Sequence, residues 1–418
     1  MTRHKRIQAS PAALAAGLFC LAAVATAHPE PAGLTLTQAE RQALARGNVA
    51  RLLAGRQARA RGELTTASTW PNPELSLSQE STDLAETTSR ERFLWVYQDF
   101  DLSGERGLRQ QSARAGLAAS EFRVAAARRE ISRQVRTRFA QVLHRQAQGM
   151  AISAKRERLA ELVAIARKQE RAGQAAAYDV LRLERAAAEM DIRAAEIGAE
   201  REHARARLAA LLDHDPAKSL PALSGTLAPS APPPLETLLD DLPGLPRLQA
   251  LQTQARANRL TAKAEGRAAI PDVTLGLGRK EQQEFGRSFD GNLISLGLSI
   301  PLFDRNQGER ASARAAADIS EAEYRLALAE HRGEVRGRWL QLRELRQSAE
   351  RFSQHHAESS RRLLRAAESG YRGAEVGVLE LVDAYTSALD TELRLLDLQK
   401  QARDAHIELQ ALTQGGNP

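Results

Sequence analysis

The sequence predicts a mainly α protein with four membrane strands, written as two copies of one unit in which strands run directly into very long helices. Three observations carry this. Ile294, Leu296, Leu298, Ile300 and Leu302 alternate with Ser295, Gly297, Ser299 and Pro301, the two-residue rhythm of a strand. About 60 residues rich in Ala, Arg, Glu and Leu follow without a proline, a run that only a long helix accommodates. The same layout occurs about 200 residues earlier.

The chain opens with Arg3, Lys5 and Arg6, passes through an apolar run from Ala12 to Val24, and reaches Ala25-Thr26-Ala27. This is the pattern of a secretory leader cleaved after Ala27, so residues 1–27 are read as a signal peptide. The run is too short and wrongly flanked for a spanning helix. The one cysteine, Cys20, lies within it and follows Phe19 rather than a small residue, which argues against lipidation. The remaining chain has no thiol and no disulfide. Net charge is +7, and three positive residues lie in the leader, leaving +4. That balance does not suggest a nucleic-acid partner. Aromatic residues make up only 4%. No stretch beyond residue 27 approaches the roughly 18 consecutive apolar residues of a spanning helix, so any membrane crossing must use strands.

Repeat 1 covers residues 28–213 and repeat 2 residues 237–418, and the proline-rich segment 214–236 reads as a linker. "PNPELSLSQ" (71–79) returns as "IPDVTLGLG" (270–278), "RFLWVYQDFDLSGERG" (92–107) as "LISLGLSIPLFDRNQGER" (293–310), and "AGQAAAYDVLRL" (172–183) as "GAEVGVLELV" (373–382). Each copy reads helix, strand, polar loop, strand, long helix, break, return helix. The strands fall near 73–80, 92–102, 272–280 and 292–302, each close to the 9–11 residues of a tilted membrane strand. The segments 81–91 and 280–291 between them read as polar loops. Four strands cannot close a barrel, and open edges are not tolerated in lipid, whereas three chains supply twelve.

The 65 residues from Gly107 to Arg171 contain no proline, and as one helix would span ~97 Å. Ile131, Val135, Phe139, Val142 and Leu143 form a narrow apolar stripe, matched in 308–369 by Ile319, Tyr324, Leu328, Val335, Trp339 and Leu342. Such rods need neighbours to pack against. Gly173 and Gly370 or Gly373 mark the turns at the helix tips, and the return helices end near Asp213 and Gly415. At the strand-to-helix junctions, Ser103 before Gly104 is a candidate cap, and Asp304 with Gln307 resembles a capping box. Pro301 is tolerable near a strand end, and Gly308 would ease the close turn.

These motifs together resemble the TolC-like outer-membrane efflux factor family over essentially the whole mature chain. Within it, "PLFDRNQGERASARA" and "GAEVGVLELVDAY" are most similar to the CzcC-like branch serving heavy-metal efflux systems. The resemblance implies a homotrimer, with a twelve-stranded outer-membrane β-barrel continued by an α-helical barrel across the periplasm. It further implies a periplasmic adaptor and an inner-membrane pump of the resistance-nodulation-division (RND) type as partners. The family's periplasmic end carries acidic rings just after the turn; Asp179, Glu380 and Asp383 match those positions, while Arg182 occupies the slot paired with Asp383. Such a ring would concentrate cations; equally, acids in a first helical turn favour the helix dipole and need no other role.

Other candidates have plain structural readings. His355 and His356 are adjacent, point about 100° apart on a helix and do not chelate together. Met150 and Met190 read as packing residues. Phe93, Trp95 and Tyr97 share one strand face and fit either a membrane-interface belt or packing between barrel and helices. Arg167, Arg171 and Arg372 near the tips are adaptor contacts or solvated side chains. No catalytic, cofactor or metal-cage motif is present, which favours a passive duct over an enzyme, and the resemblance alone implies divalent metal cations as its cargo. The competing readings are the same duct exporting drugs or proteins, and a periplasmic coiled-coil adaptor or tether; the latter leaves four alternating strands without a membrane.

Overall fold

The computed structural model describes residues 33–413 apart from 85–86, 216–217, 219 and 374. The expected leader, with Cys20 and the site after Ala27, lies outside the described residues, as does Gly415. Helices α1 (Leu36–Ala45) and α2 (Gly47–Ser68) lead into strands β1 (Glu74–Leu84) and β2 (Thr87–Phe100). Helix α3 (Glu105–Arg171) then runs 67 residues, ~100 Å, and α4 (Ala177–Leu212) returns. After α5 (Leu235–Asp240), the pattern recurs as α6 (Pro246–Arg267), β3 (Val273–Glu284), β4 (Arg287–Leu298), α7 (Gln307–Phe352), α8 (Glu358–Arg372) and α9 (Val378–Thr413).

The strands form one antiparallel sheet in the order β1-β2-β3-β4, so the two repeats meet through β2 and β3 while β1 and β4 are its edges. Both hairpins extend further than the sequence suggests. Residues 81–84, 87–91, 280–284 and 287–291, read as polar loops, are paired strand. Their polarity marks where the strands leave an apolar environment, not where pairing stops. At the other end, β2 and β4 stop at Phe100 and Leu298, so Pro301 lies beyond the strand rather than within its end.

The junction geometry also differs from the expected caps. Gly104, not Ser103, precedes α3, with φ 76°, a left-handed conformation suited to glycine. The carboxylate of Asp101 accepts from the backbone N–H groups of Ser103, Gly104 and Arg106, holding its pKa below the ordinary value despite partial burial. Ser103 Oγ contributes one acceptor, to Glu105 N at 3.0 Å. At α7 there is no capping box. Asn306 takes the left-handed conformation (φ 59°), Asp304 accepts from Asn306 N, and Gln307 accepts from Arg305 N. The close turn is therefore made at Asn306, and Gly308 sits inside the helix with open space around it.

Among the described residues, three apolar clusters rather than one core hold the rods, with Leu396 packed against two of them. Near the tips, Leu159, Leu162, Leu183, Leu381, Tyr385 and Leu389 pack together. In the middle, Val135, Phe139 and Val142 of α3 pack with Leu208 of α4 and with Leu220, Leu223 and Leu227. Those three leucines belong to the proline-rich segment 214–236, which is thus a packed strap rather than a loose linker. Arg403 of α9 fastens it by donating to the carbonyls of Thr226, Leu227 and Ala228. The third cluster joins Leu242, Leu245 and Leu248 to Val335 and Leu342.

The second rod is not continuous. A π-turn at Ser353–Ala357 separates α7 from α8, and the Ser359 hydroxyl donates to the carbonyls of His355 and His356. His356 stacks on Phe352 with ring centroids 5.0 Å apart. The histidine pair thus belongs to a local helix defect, and no group of three or more His, Cys, Asp or Glu able to hold a metal occurs among the described residues.

Candidate functional site

Two ends of the molecule bear functional features, the sheet and the helix tips. On one sheet face the register aligns Leu75 with Val96, Leu277 and Ile294, then Leu77 with Leu94, and Leu275 with Leu296. Ile294 and Leu296 are 79% and 75% exposed, an unusual cost for large aliphatic side chains in water. Along β2 this band comprises Leu94, Val96 and Phe100, ~20 Å from first to last and interrupted by Gln98, which donates to Pro71 O; an outer-membrane barrel's apolar band is ~25 Å tall. Above it the same face turns polar, with Arg92 bonded to Gln79 at 3.1 Å and Arg279 to Asp290 at 2.8 Å. No described helix is long and apolar enough to cross a membrane.

The opposite face carries Ser76, Ser78, Thr274, Gly276, Gly278, Ser295 and Gly297 together with Phe93, Trp95 and Tyr97. The aromatic trio therefore does not share a face with the apolar band, and the interface-belt reading is corrected. Aromatic residues near the base of the apolar band are instead Trp70, Phe100 and Phe303, with the Arg106 guanidinium 3.9 Å from the Trp70 ring centre.

At the first tip, Gly173 follows α3 with φ 73°, and its N–H donates to Glu170 O at 2.8 Å. At the second tip the glycine is not left-handed. Gly370 lies inside α8 and Gly373 follows it at φ −82°. Gly370 is needed for contact rather than conformation, because a Cβ there would meet Val376 Cγ2 at 2.6 Å.

Asp179 and Glu380 lie in the first turns of α4 and α9, and Asp383 one turn further along α9. Val180, Val378 and Leu381 share one cluster, so the two helix starts pack side by side. Glu380 and Asp383 are exposed, and Asp179 is half-buried near Tyr371, whose hydroxyl is raised in pKa by burial and then by Asp179. Among the described residues no ion pair engages any of the three acids. Arg182 turns to Tyr178, donating to its hydroxyl at 2.8 Å. Arg167 pairs with Glu184 at 2.6 Å and Arg372 with Glu368 at 3.9 Å.

Two features here were missed by sequence reasoning. Tyr385 is buried and donates to Glu368, which also pairs with Arg158, so α3, α8 and α9 are tied just above the tip. Burial first, and Glu368 second, push the phenol pKa well above its usual value. Its place on the apolar side of "LELVDAY" was the available signal. Tyr178 and Leu181 border a groove of about 550 Å³ that also touches Val382. Met190 is packed as expected, but Met150 is 66% exposed.

The outer membrane efflux protein family matches residues 242–415. The cobalt-zinc-cadmium resistance protein CzcC of Cupriavidus metallidurans is 27% identical over 350 residues, covering 82% of this chain and 81% of that one. Among solved structures, the outer membrane protein VceC of Vibrio cholerae aligns with a TM-score of 0.73 at 21% identity, over 90% of this chain and 95% of that one. CusC, described with its folding and transmembrane channel formation, aligns with a TM-score of 0.72 at 18% identity, over 90% and 92%. Residues 242–415 thus match the outer membrane efflux protein family, and the chain as a whole shares the fold of VceC and CusC.

Proposed function

We propose that this chain is the outer-membrane exit duct of a tripartite RND-type efflux system, passing divalent heavy-metal cations from the periplasm to the exterior. One observation carries the reading: a four-stranded sheet with an aliphatic outer face and two unpaired edges stands directly on two rods of helix. In lipid those edges must pair, and three chains joined β1 to β4 close twelve strands into a barrel. The rods then continue the barrel into the periplasm, where an adaptor and an inner-membrane pump would meet the tips. The duct itself performs no chemistry.

The cargo is argued from two weaker supports, the likeness to CzcC and the solvated acids at the tips. In a trimer, Asp179, Glu380 and Asp383 would recur threefold and raise the local cation concentration. The experiment is conductance of purified trimers in planar bilayers under a salt gradient, comparing wild type with Glu380→Gln/Asp383→Asn. A cation preference that falls in the double variant supports the ring. Unchanged selectivity removes the ring and leaves the duct; failure to isolate trimers from the outer membrane removes the duct.

A further inference from the structure

The second sheet face has a composition that closing a barrel does not require. In successive rows, Tyr97 stands opposite Gly276, Trp95 opposite Gly278 and Phe93 opposite Lys280. The Trp95 and Tyr97 rings are nearly parallel, 14° apart with centroids at 5.4 Å. Both lie over the glycines: a Cβ on Gly278 would stand 2.6 Å from Trp95, and one on Gly276 2.7 Å from Tyr97. Each ring thus packs over bare backbone, the two rings stack on each other, and both remain partly exposed. The third ring already faces a cation, Lys280 Nζ at 5.3 Å from the Phe93 centre, with Glu91 holding that ammonium at 2.8 Å.

The charges on this face run in the same direction. From the Asp99 row to the Glu80 row it presents four carboxylates, Glu74, Glu80, Glu91 and Asp99, against one ammonium, Lys280. Within these rows one aliphatic residue, Leu293 opposite Gly278, lies on this face, and the others are on the other side. We infer that Phe93, Trp95 and Tyr97 line the lumen of the exit barrel and, with these carboxylates, form a wall that favours cations in transit, including quaternary ammonium groups. Ring faces attract cations through their quadrupole, and low-dielectric walls strengthen both terms. These residues are cargo-contacting and specificity-determining, at the end of the duct remote from the tip acids. The inference rests on the trimeric-barrel reading.

The test needs no ionic current. In the full chain carrying Cys20→Ser, single cysteines are introduced as Ser76→Cys and Ser295→Cys beside the aromatic rows, and as Leu77→Cys and Leu296→Cys on the aliphatic face. Intact cells are treated from outside with two membrane-impermeant methanethiosulfonates, one bearing trimethylammonium and one sulfonate. The Ser76→Cys and Ser295→Cys variants react and the two leucine variants do not. Relative to a free cysteine peptide, the cationic reagent is favoured by about tenfold, and Trp95→Leu or Tyr97→Leu lowers that preference by about threefold.

Reaction at the leucine variants alone, or at none of the four, overturns the lumen assignment while leaving a barrel in place. Equal reaction at all four shows a sheet outside the membrane and overturns the barrel reading with it. A reagent ratio equal to the peptide's overturns the cation preference, and the unsubstituted aromatic background decides this even where a leucine variant fails to assemble.

Discussion

At the scale of single residues, the most specific features are close contacts that composition alone hides. Gly278→Ala places a methyl group into Trp95 and forces the ring off the sheet. The cost is about 1–3 kcal/mol, read as a lower dissociation temperature of the trimer on gels, while Gly291→Ala, with open space around it, changes little. Buried His406 gives a second prediction. Burial, then Arg403 and Arg136, depress its pKa to about 4, and its Nδ1 has no hydrogen-bond partner. The unfolded chain takes up this proton near the ordinary histidine value of 6.5, so it binds more protons than the folded chain between pH 6.5 and 4. Stability is therefore complete above 6.5 and falls by about 3 kcal/mol toward pH 4. His144 shifts the same way through burial, partly opposed by Asp397 at 2.8 Å. His406→Gln should flatten the thermal midpoint between pH 7 and 4.5 relative to wild type; an unchanged slope would show that other groups carry it. Neither effect was legible in the sequence, because Gly278 and His406 acquire their roles only from residues on other elements.

At the scale of elements, legibility followed period. The 67-residue helix α3 and the alternation of β3 and β4 were readable because their apolar positions recur at fixed spacing. What failed was where period is silent. The hairpins extend through polar residues because pairing continues after the apolar band ends, and the caps use Gly104 and Asn306 in left-handed conformations set by nearby side chains. The strap through Leu220, Leu223 and Leu227 has no regular spacing, so its prolines dominated the reading. The π-turn is likewise invisible in a helix-rich run, and it makes a prediction. Ser359→Ala removes the hydroxyl that bonds the carbonyls of His355 and His356 at 2.7 and 3.0 Å. The turn should lose about 1 kcal/mol, seen as faster amide exchange confined to residues near 353–360. Uniformly faster exchange along α7 and α8 would instead place the serine's role in rod packing.

At the scale of the whole molecule, the sheet and the rods pose one problem that a single chain cannot solve. The rods are stabilised within the chain by three apolar clusters and by ties such as Tyr385–Glu368. The sheet has no such closure, since β1 and β4 each leave one row of backbone donors and acceptors unpaired. An edge substitution should therefore separate the two parts. Along β1, successive residues point their N–H groups alternately toward β2 and away from it, so of Leu75→Pro and Ser76→Pro one removes an inward bond and the other an outward donor. The inward proline disturbs the hairpin itself. The outward one leaves the hairpin and rods intact, and if β1 pairs with a neighbouring β4 it should abolish heat-stable trimers while circular dichroism retains the helical signal. Trimers of normal stability from both variants would place the joint between chains in the helices, and the sheet would then need another way to cover its edges.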